Sequence, residues 1–266
     1  IGVSMAIRFG ICKDFDKLEF VAKAGFDYIE PQFRTLATMS DEEFEETKAK
    51  VAELNIKCEA YNIFAPGSVP SLRAEDIDFN ALSEMVHKGM SRAKELGGKI
   101  VVMGCGWLRR YPEDMTLKHA KEETAKTIRF CGDIAAQYGI TLVIEPLNIH
   151  ETNFVNTLKE GIEFTKLCDH PAVKCLVDFY HTYRNSETIG SLKENIAEVY
   201  HAHLARPNED RAYPEEEDLP KLEAWSQLLK DVGYDSRISL ECHGKDAATE
   251  EEDILRSLAY LRKYFN

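Results

Sequence analysis

The chain has 266 residues, of which 44% are hydrophobic and 30% are charged, a balance typical of globular proteins rather than disordered ones. Its formal net charge of −13 argues against nucleic acid as a partner, because the phosphate backbone is bound largely through clustered Lys and Arg. No segment approaches the ~18 consecutive apolar residues that a membrane span needs, so we expect no membrane partner either.

The first ten residues lack a basic stretch followed by a long apolar run, so we predict no secretory signal and a cytoplasmic location. Met5 is a candidate native start, which predicts that residues 1–4 are a tag or processing remnant and that residues 5–266 form a single domain. The seven cysteines stand at irregular spacings without a Cys-x-x-Cys pair. We therefore expect reduced, mostly buried thiols.

Short apolar runs of strand length alternate with longer amphipathic segments of helix length along the whole chain. In chain order, the predicted strands cover residues 7–11, 27–30, 57–63, 99–103, 141–145, 174–178, 199–204 and 237–241. The predicted helices cover residues 15–24, 41–54, 79–96, 117–138, 158–167, 189–196, 219–232 and 250–265. Eight strands with eight crossover helices predict an α/β fold, a closed (β/α)8 TIM barrel, for which ~250 residues are typical.

Several predicted helix ends carry recognisable signals. Ser40, with Glu43 three residues later, forms a capping-box pattern before the second helix. Four glycines follow helices at positions where a left-handed cap is favoured: Gly25, Gly97, Gly139 and Gly233. The irregular stretch 206–220 is acidic and contains three prolines, and we predict a βα loop over the active face there.

Four of the predicted strands close with side chains that can bind a metal: Glu145, Asp178, His203 and Glu241. Taken singly, a carboxylate at a strand end is more often a helix cap or an ion-pair partner. Four such residues in strands five to eight indicate a site, because the carboxyl ends of barrel strands meet at one face. This oxygen-rich set suits one Mn²⁺, Mg²⁺ or Co²⁺ ion, which would offset the repulsion among the carboxylates.

The segments VIEPLN, LVDFYH, HAHLARPNEDRAYP and SLECH resemble the xylose isomerase-like barrel superfamily. Within it they are most similar to the sugar isomerase and ketose 3-epimerase group, of the D-tagatose and D-psicose 3-epimerase type. The resemblance spans the whole chain and is sharpest between residues 145 and 241. It implies that Glu145, Asp178, His203 and Glu241 hold the metal, with Mn²⁺ favoured, and that Glu145 and Glu241 are the acid/base pair.

The resemblance also implies the sugar-binding residues. Glu151 and His181 match two of them, Trp107 resembles a wall of the sugar pocket, and Arg211 resembles an arginine of the loop after the His-x-His strand. The match of Arg211 is looser because this loop is longer here, and Arg206 competes for the same role. From the residues alone, His181 could instead cap a helix and Trp107 could be a core or interface aromatic.

Two further histidines lie near these motifs. His201 shares a strand face with His203, two residues away, and is interpreted as a partner behind the ligands. His243 lies past the last strand, is interpreted as solvated and is left out of the predicted site.

Two carboxylates on opposite sides of a carbon next to a ketone can exchange its proton when a divalent cation stabilises the enediolate. Return of the proton to the opposite face gives an epimer, and return to the adjacent carbon gives an aldose–ketose isomer. The substrate would be a small sugar, and a free sugar is favoured because no Lys-rich or Gly-rich loop suggests a phosphate clamp. The particular sugar is left open, as is the choice between a homodimer and a homotetramer.

Four alternatives remain at this level. An inosose dehydratase-type lyase uses a similar metal set but expels water, and a hydroxypyruvate isomerase takes a smaller substrate. An apurinic endonuclease-like repair enzyme gathers several metals through extra histidines, which the segments AYNIF and MGCGW do not offer. A non-enzymatic barrel would have no need of the carboxylate pair.

Overall fold

The computed structural model describes residues 7–208 and 210–266. The strands are β1 (Arg8–Ile11), β2 (Tyr28–Ile29), β3 (Ala60–Tyr61), β4 (Ile100–Met103), β5 (Thr141–Ile144), β6 (Val173–Asp178), β7 (Val199–Leu204) and β8 (Arg237–Leu240). The α-helices are α1 (Leu18–Ala24), α2 (Phe33–Thr38), α3 (Asp41–Glu53), α4 (Phe79–Glu95), α5 (Gly106–Arg109), α6 (Leu117–Tyr138), α7 (Leu158–Cys168), α8 (Phe179–Arg184), α9 (Ile189–Lys193), α10 (Leu219–Asp231) and α11 (Glu250–Tyr264). The predicted tag or remnant, residues 1–4, lies outside the described residues.

The strands form one parallel sheet in the order β2-β1-β8-β7-β6-β5-β4-β3. Its two outer strands approach each other, since the amide of Ile29 donates to the carbonyl of Lys57 at 2.9 Å. Just beyond them, Gln32 and Asn62 form a parallel bridge. The sheet is therefore a nearly closed barrel, and the (β/α)8 prediction is confirmed. No helix in the described ranges combines the length and apolarity that crossing a membrane requires.

The helix caps predicted from the sequence are present in the structure. The Ser40 hydroxyl accepts from the amide of Glu43, and the Glu43 carboxylate accepts from the amide of Ser40. Gly25 and Gly139 cap α1 and α6 in the left-handed conformation, with φ of 87° and 70°. Each of these two caps ends its helix a few residues before the next strand begins.

The structure departs from the prediction in two ways. Strands β2 and β3 have two residues each, shorter than predicted. In the predicted strand 57–63, Ile63 adopts a positive φ of 44°, which is not compatible with extended backbone at that residue. Helices α2, α5 and α8 were not predicted, because four to six residues are too few to show a helical period. Each of the three follows its strand within a few residues and lies near the rim where strand ends meet.

Side-chain alternation along the strands decides which residues face into the barrel. A small apolar cluster fills the interior: Tyr28, Ala60, Ile100, Val102, Val143 and Leu176. The intervening Val101 belongs to the larger core, which also contains the helix residues. Continuing the alternation, Glu145 follows Val143 on the inward face, and Asp178 follows Leu176. The apolar interior thus ends in acidic side chains at the carboxyl end of the barrel.

Candidate functional site

The carboxyl ends of β5 to β8 bring together the four side chains predicted to bind a metal. Glu145 and Glu241 directly follow β5 and β8, Asp178 ends β6, and His203 is the penultimate residue of β7. One ligand atom from each residue lies within 4.8 Å of the others. The side chains of Glu145, Asp178 and His203 are buried, and Glu241 is partly exposed. The predicted ligands therefore share one site, while their binding of a metal stays a prediction.

The positive charges in this cluster come from His203 and Arg211. Nδ1 of His203 lies 3.3 Å from Oε1 of Glu145 and 3.0 Å from Oε2 of Glu241. The Arg211 guanidinium donates to Oδ2 of Asp178 at 2.6 Å and also to Glu241. It lies 4.0 Å from Glu145. Arg211 therefore belongs to the centre itself and does not merely flank it.

The two proposed acid/base carboxyls have opposite electrostatic surroundings. Burial, followed by the neighbouring Glu241 carboxylate, raises the pKa of Glu145 to about 8. Burial alone would also raise the pKa of Glu241, but Arg211 and His203 hold it well below its usual range. Without a cation this favours a protonated Glu145 opposite an ionised Glu241 near neutral pH, and a bound divalent ion would lower the pKa of both carboxyls. Two carboxyls whose pKa values are driven apart in this way are typical of an acid and a base.

The donor set fits a hard divalent cation. Three carboxylates and one imidazole, with no thiolate, match the preferences of Mn²⁺, Mg²⁺ and Co²⁺. Gly104 makes room for them, because a Cβ at this position would lie 2.0 Å from Oε2 of Glu145. Among the described residues, all three groups of potential ligands contain His203. The described part of the chain therefore offers one connected cluster of potential ligands rather than several separated ones.

His181 was predicted to contact the sugar, and it lies buried beside this centre. Its Nδ1 faces the amide of Asn148 at 3.2 Å and the Asn148 side-chain nitrogen at 2.9 Å, so Nδ1 is the acceptor. Its Nε2 has no hydrogen-bond partner and faces Asp178 at 3.6 Å. Burial lowers the pKa of His181, which favours the neutral ring with its proton on Nε2. That N–H is directed at the centre and is available to a substrate oxygen.

A cavity of about 320 Å³ opens above the carboxylates. Three residues predicted to bind the sugar line it, namely Trp107, Glu151 and Arg211. His243, which was left out of the predicted site and interpreted as solvated, lines it as well and is exposed. A larger cavity of about 700 Å³ lies beside His170, away from these strand ends. We assign the chemistry to the smaller cavity because it contacts both acid/base carboxyls.

The structure decides between the two arginines of the 206–220 loop. Arg206 forms ion pairs within the loop, with Glu215 at 2.9 Å and Asp218 at 3.0 Å. Arg211 has a positive φ of 52°, and its guanidinium reaches the carboxylates. Its carbonyl accepts from the amide of His243 at 2.8 Å, which ties the loop to the segment after β8.

Sequence reasoning missed three residues around the site. Glu30, directly after β2, is fully buried and contacts His203, as described below. The same rule that selected Glu145 could have found it, since the predicted strand 27–30 also ends in a carboxylate. Arg109 donates to the carbonyls of Met103 and Glu145 and so joins the ends of β4 and β5. Asn62 is buried against the cavity, with a side-chain oxygen that has no partner. No sequence motif marks Arg109 or Asn62.

The family model described as xylose isomerase-like TIM barrel matches residues 18–264. The chain belongs to this family. Among solved structures, a D-psicose 3-epimerase crystallised with D-fructose superimposes on this xylose isomerase-like barrel with a TM-score of 0.83. The two sequences are 22% identical, and the alignment covers 97% of this chain and 99% of the other, so the likeness shows the shared fold.

Two curated relatives are similar in sequence to this xylose isomerase-like protein. D-psicose 3-epimerase of Ruminiclostridium cellulolyticum is 26% identical over 227 residues, which are 84% of this chain and 76% of the relative. The 3-dehydro-D-guloside 4-epimerase of Escherichia coli is 25% identical over 263 residues, 93% of each chain.

Proposed function

We propose that this protein is a metal-dependent sugar epimerase of the ketose 3-epimerase type, in which Glu145 and Glu241 exchange a proton with the substrate. The observation that carries the proposal is that these two carboxyls face one cavity and, with Asp178 and His203, bring their ligand atoms within 4.8 Å of one another. The names of both relatives, a psicose 3-epimerase and a guloside 4-epimerase, support epimerisation over aldose–ketose isomerisation.

Glu145, Asp178, His203 and Glu241 would hold the metal, with Mn²⁺ favoured and Mg²⁺ or Co²⁺ as alternatives. When bound, a divalent ion polarises the substrate carbonyl and offsets the negative charge that develops on its oxygens. Burial of the three innermost ligands strengthens every charge interaction at this point, because the local dielectric is low.

The side chains of Glu241 and Glu145 carry out the proton transfer. Glu241 is held ionised by Arg211 and can remove the proton from the carbon next to the ketone. Glu145, when it carries a proton, can return that proton on the opposite face. In the reverse direction the two residues exchange roles. The product of this two-sided transfer is the epimer, whereas return to the adjacent carbon would give an isomer.

The remaining residues of the cavity would orient the sugar. His181 presents its Nε2 proton to a substrate oxygen. Glu151 accepts hydrogen bonds from the sugar hydroxyls, and Arg211 donates hydrogen bonds to them. The unpartnered side-chain oxygen of Asn62 offers a further acceptor. Trp107 is 51% exposed and would form an apolar wall against a carbon face of the ring. A homodimer or homotetramer and a cytoplasmic location stay predictions from the sequence.

The test is a Mn²⁺-supplemented panel of D-psicose, D-fructose, D-tagatose, L-ribulose, 3-keto glycosides and inosose, followed by NMR. The expected product is an epimer with solvent deuterium at the inverted carbon. Appearance of an aldose would reassign the protein as an isomerase, and loss of water would reassign it as a dehydratase.

The Glu145→Gln and Glu241→Gln variants test the roles of the two carboxyls. Each is expected to lose ~10²-fold or more in epimerisation, because the base is removed while a ligand oxygen remains. Exposed Glu223, which lies on α10, gives the matched control Glu223→Gln with unchanged activity. Normal interconversion by Glu241→Gln would reduce Glu241 to a ligand, and the two-base proposal would be withdrawn.

A further inference from the structure

Glu30 lies in the barrel interior below the proposed metal ligands. Its carboxylate is fully buried and does not line the sugar cavity. Oε1 lies 2.8 Å from Nε2 of His203, and Oε2 lies 3.0 Å from Nε2 of His201. The hydroxyl of Ser239 also donates to Oε2. A buried carboxylate with three donors arranged in this way is hydrogen-bonded at both oxygens.

These contacts determine where the ring protons lie. An ionised carboxylate only accepts hydrogen bonds, so the histidine nitrogens that face Glu30 must carry hydrogen. For His203 this places a proton on Nε2. The other nitrogen, Nδ1, faces Glu145 and Glu241, so any proton that it shares with these carboxylates would be released when a metal binds. A histidine binds a metal through an unprotonated nitrogen, so Nε2–H is the form in which His203 can act as a ligand.

No other described contact of His203 can fix the proton on its Nε2. The Cys12 thiol lies 3.9 Å from Nε2 and is a weak hydrogen-bonding group. His201 packs against His203 with ring centroids 5.0 Å apart, but its link to Glu30 runs through its own Nε2. The role of holding the His203 ring therefore falls to Glu30.

We propose that Glu30 is a positioning residue for the metal centre. It fixes the ring and the tautomer of His203 so that Nδ1 is presented to the ion, and its charge raises the basicity of that nitrogen. The inference rests on the metal binding contained in the proposed function, but it does not depend on which sugar is used. Glu30 touches neither the substrate cavity nor the other ligands, so it acts through His203 alone.

The Glu30→Gln variant tests the proposal. It preserves side-chain volume and removes the charge, and an amide cannot accept at both of its terminal atoms. We expect the Kd for Mn²⁺ to rise about 10- to 100-fold, as is typical when the hydrogen-bond partner of a metal-binding histidine is lost. The Kd is measured from free Mn²⁺ by electron paramagnetic resonance, without substrate. The visible spectrum of the Co²⁺-loaded protein should also shift, which a merely structural role would not cause.

Glu59→Gln is the matched control. Glu59 is another buried glutamate, but it pairs with Arg8 and Arg237, the first residues of β1 and β8, at the opposite end of the barrel. The Glu59→Gln variant should bind Mn²⁺ with the same Kd as the wild type. An unchanged Mn²⁺ affinity in Glu30→Gln, or an equal loss in both variants, would overturn the proposal.

A measurement on the wild type keeps the test valid if Glu30→Gln fails to fold. In the Mg²⁺-loaded protein, nitrogen-15 NMR should place the His203 proton on Nε2, and a proton on Nδ1 would refute the proposal. Wild-type protein that binds no metal would overturn both this inference and the proposed function. Wild-type protein that binds Mn²⁺ but converts no sugar would overturn the proposed function only.

Discussion

Gly104, directly after β4, provides the sharpest test of the site geometry. A Cβ added here would lie 2.0 Å from Oε2 of Glu145 and 3.2 Å from its Cδ. Ordinary van der Waals contact begins near 3.4 Å, so the carboxylate of Glu145 would have to move by about 1.4 Å (3.4 − 2.0). The Gly104→Ala substitution therefore displaces a proposed ligand and acid/base group without changing its chemistry.

The expected effect on catalysis is much larger than the effect on stability. A misplacement of ~1 Å in a catalytic group can cost ~10²-fold, so kcat/KM should fall by at least that factor. Overpacking costs ~1–3 kcal/mol, and the more restricted unfolded chain offsets ~0.4–1 kcal/mol of this. Because the clash involves the end of a flexible side chain, we expect the free energy of unfolding to fall by ~0–2 kcal/mol.

The assay compares epimerase activity, Mn²⁺ affinity and urea unfolding for Gly104→Ala with those for Gly67→Ala. A Cβ at Gly67 meets no atom within 4 Å, so the same substitution there should leave activity and Mn²⁺ affinity unchanged and raise the free energy of unfolding by no more than ~0.4–1 kcal/mol. Wild-type activity and Mn²⁺ affinity in Gly104→Ala would show that the position of the Glu145 carboxylate is not critical. The catalytic and ligand roles assigned to Glu145 would then be refuted.

Three further predictions concern the metal and pH. Asp178→Asn should lower Mn²⁺ affinity and activity together, as followed by calorimetry and turnover, and full activity at ordinary Mn²⁺ concentration would remove Asp178 from the site. Chelation should abolish activity and lower the Tm, with recovery on adding Mn²⁺, because the ion binds only the folded state. Burial raises the pKa of Glu187 from 4.5 to about 7, so the folded state binds the extra proton and its stability falls as pH rises through this window. Glu187→Gln should remove a pH dependence of up to about 3 kcal/mol in urea unfolding between pH 4.5 and 8, and an unchanged profile would contradict the assignment.

The sequence by itself determines the barrel and the positions of the four predicted ligands. Apolar runs that alternate with helical periods predict parallel strands, and parallel barrel strands present their carboxyl ends at one face. Because side chains alternate along a strand, the residue that closes each run is placed by its neighbours, as Val143 places Glu145. These patterns are local, so each can be recognised within a single segment of the sequence without knowledge of the tertiary structure.

Only the tertiary structure decides which distant groups meet. Arg211 rather than Arg206 reaches the carboxylates, because the loop turns at a residue with positive φ and Arg206 is engaged by acidic residues of its own loop. Glu30 and His203 are separated by 173 residues along the chain, and no local pattern connects them. The opposite pKa shifts of Glu145 and Glu241 likewise depend on burial and on neighbouring charges from other strands. These properties arise from distances across the closed barrel, which periodicity along the chain does not encode.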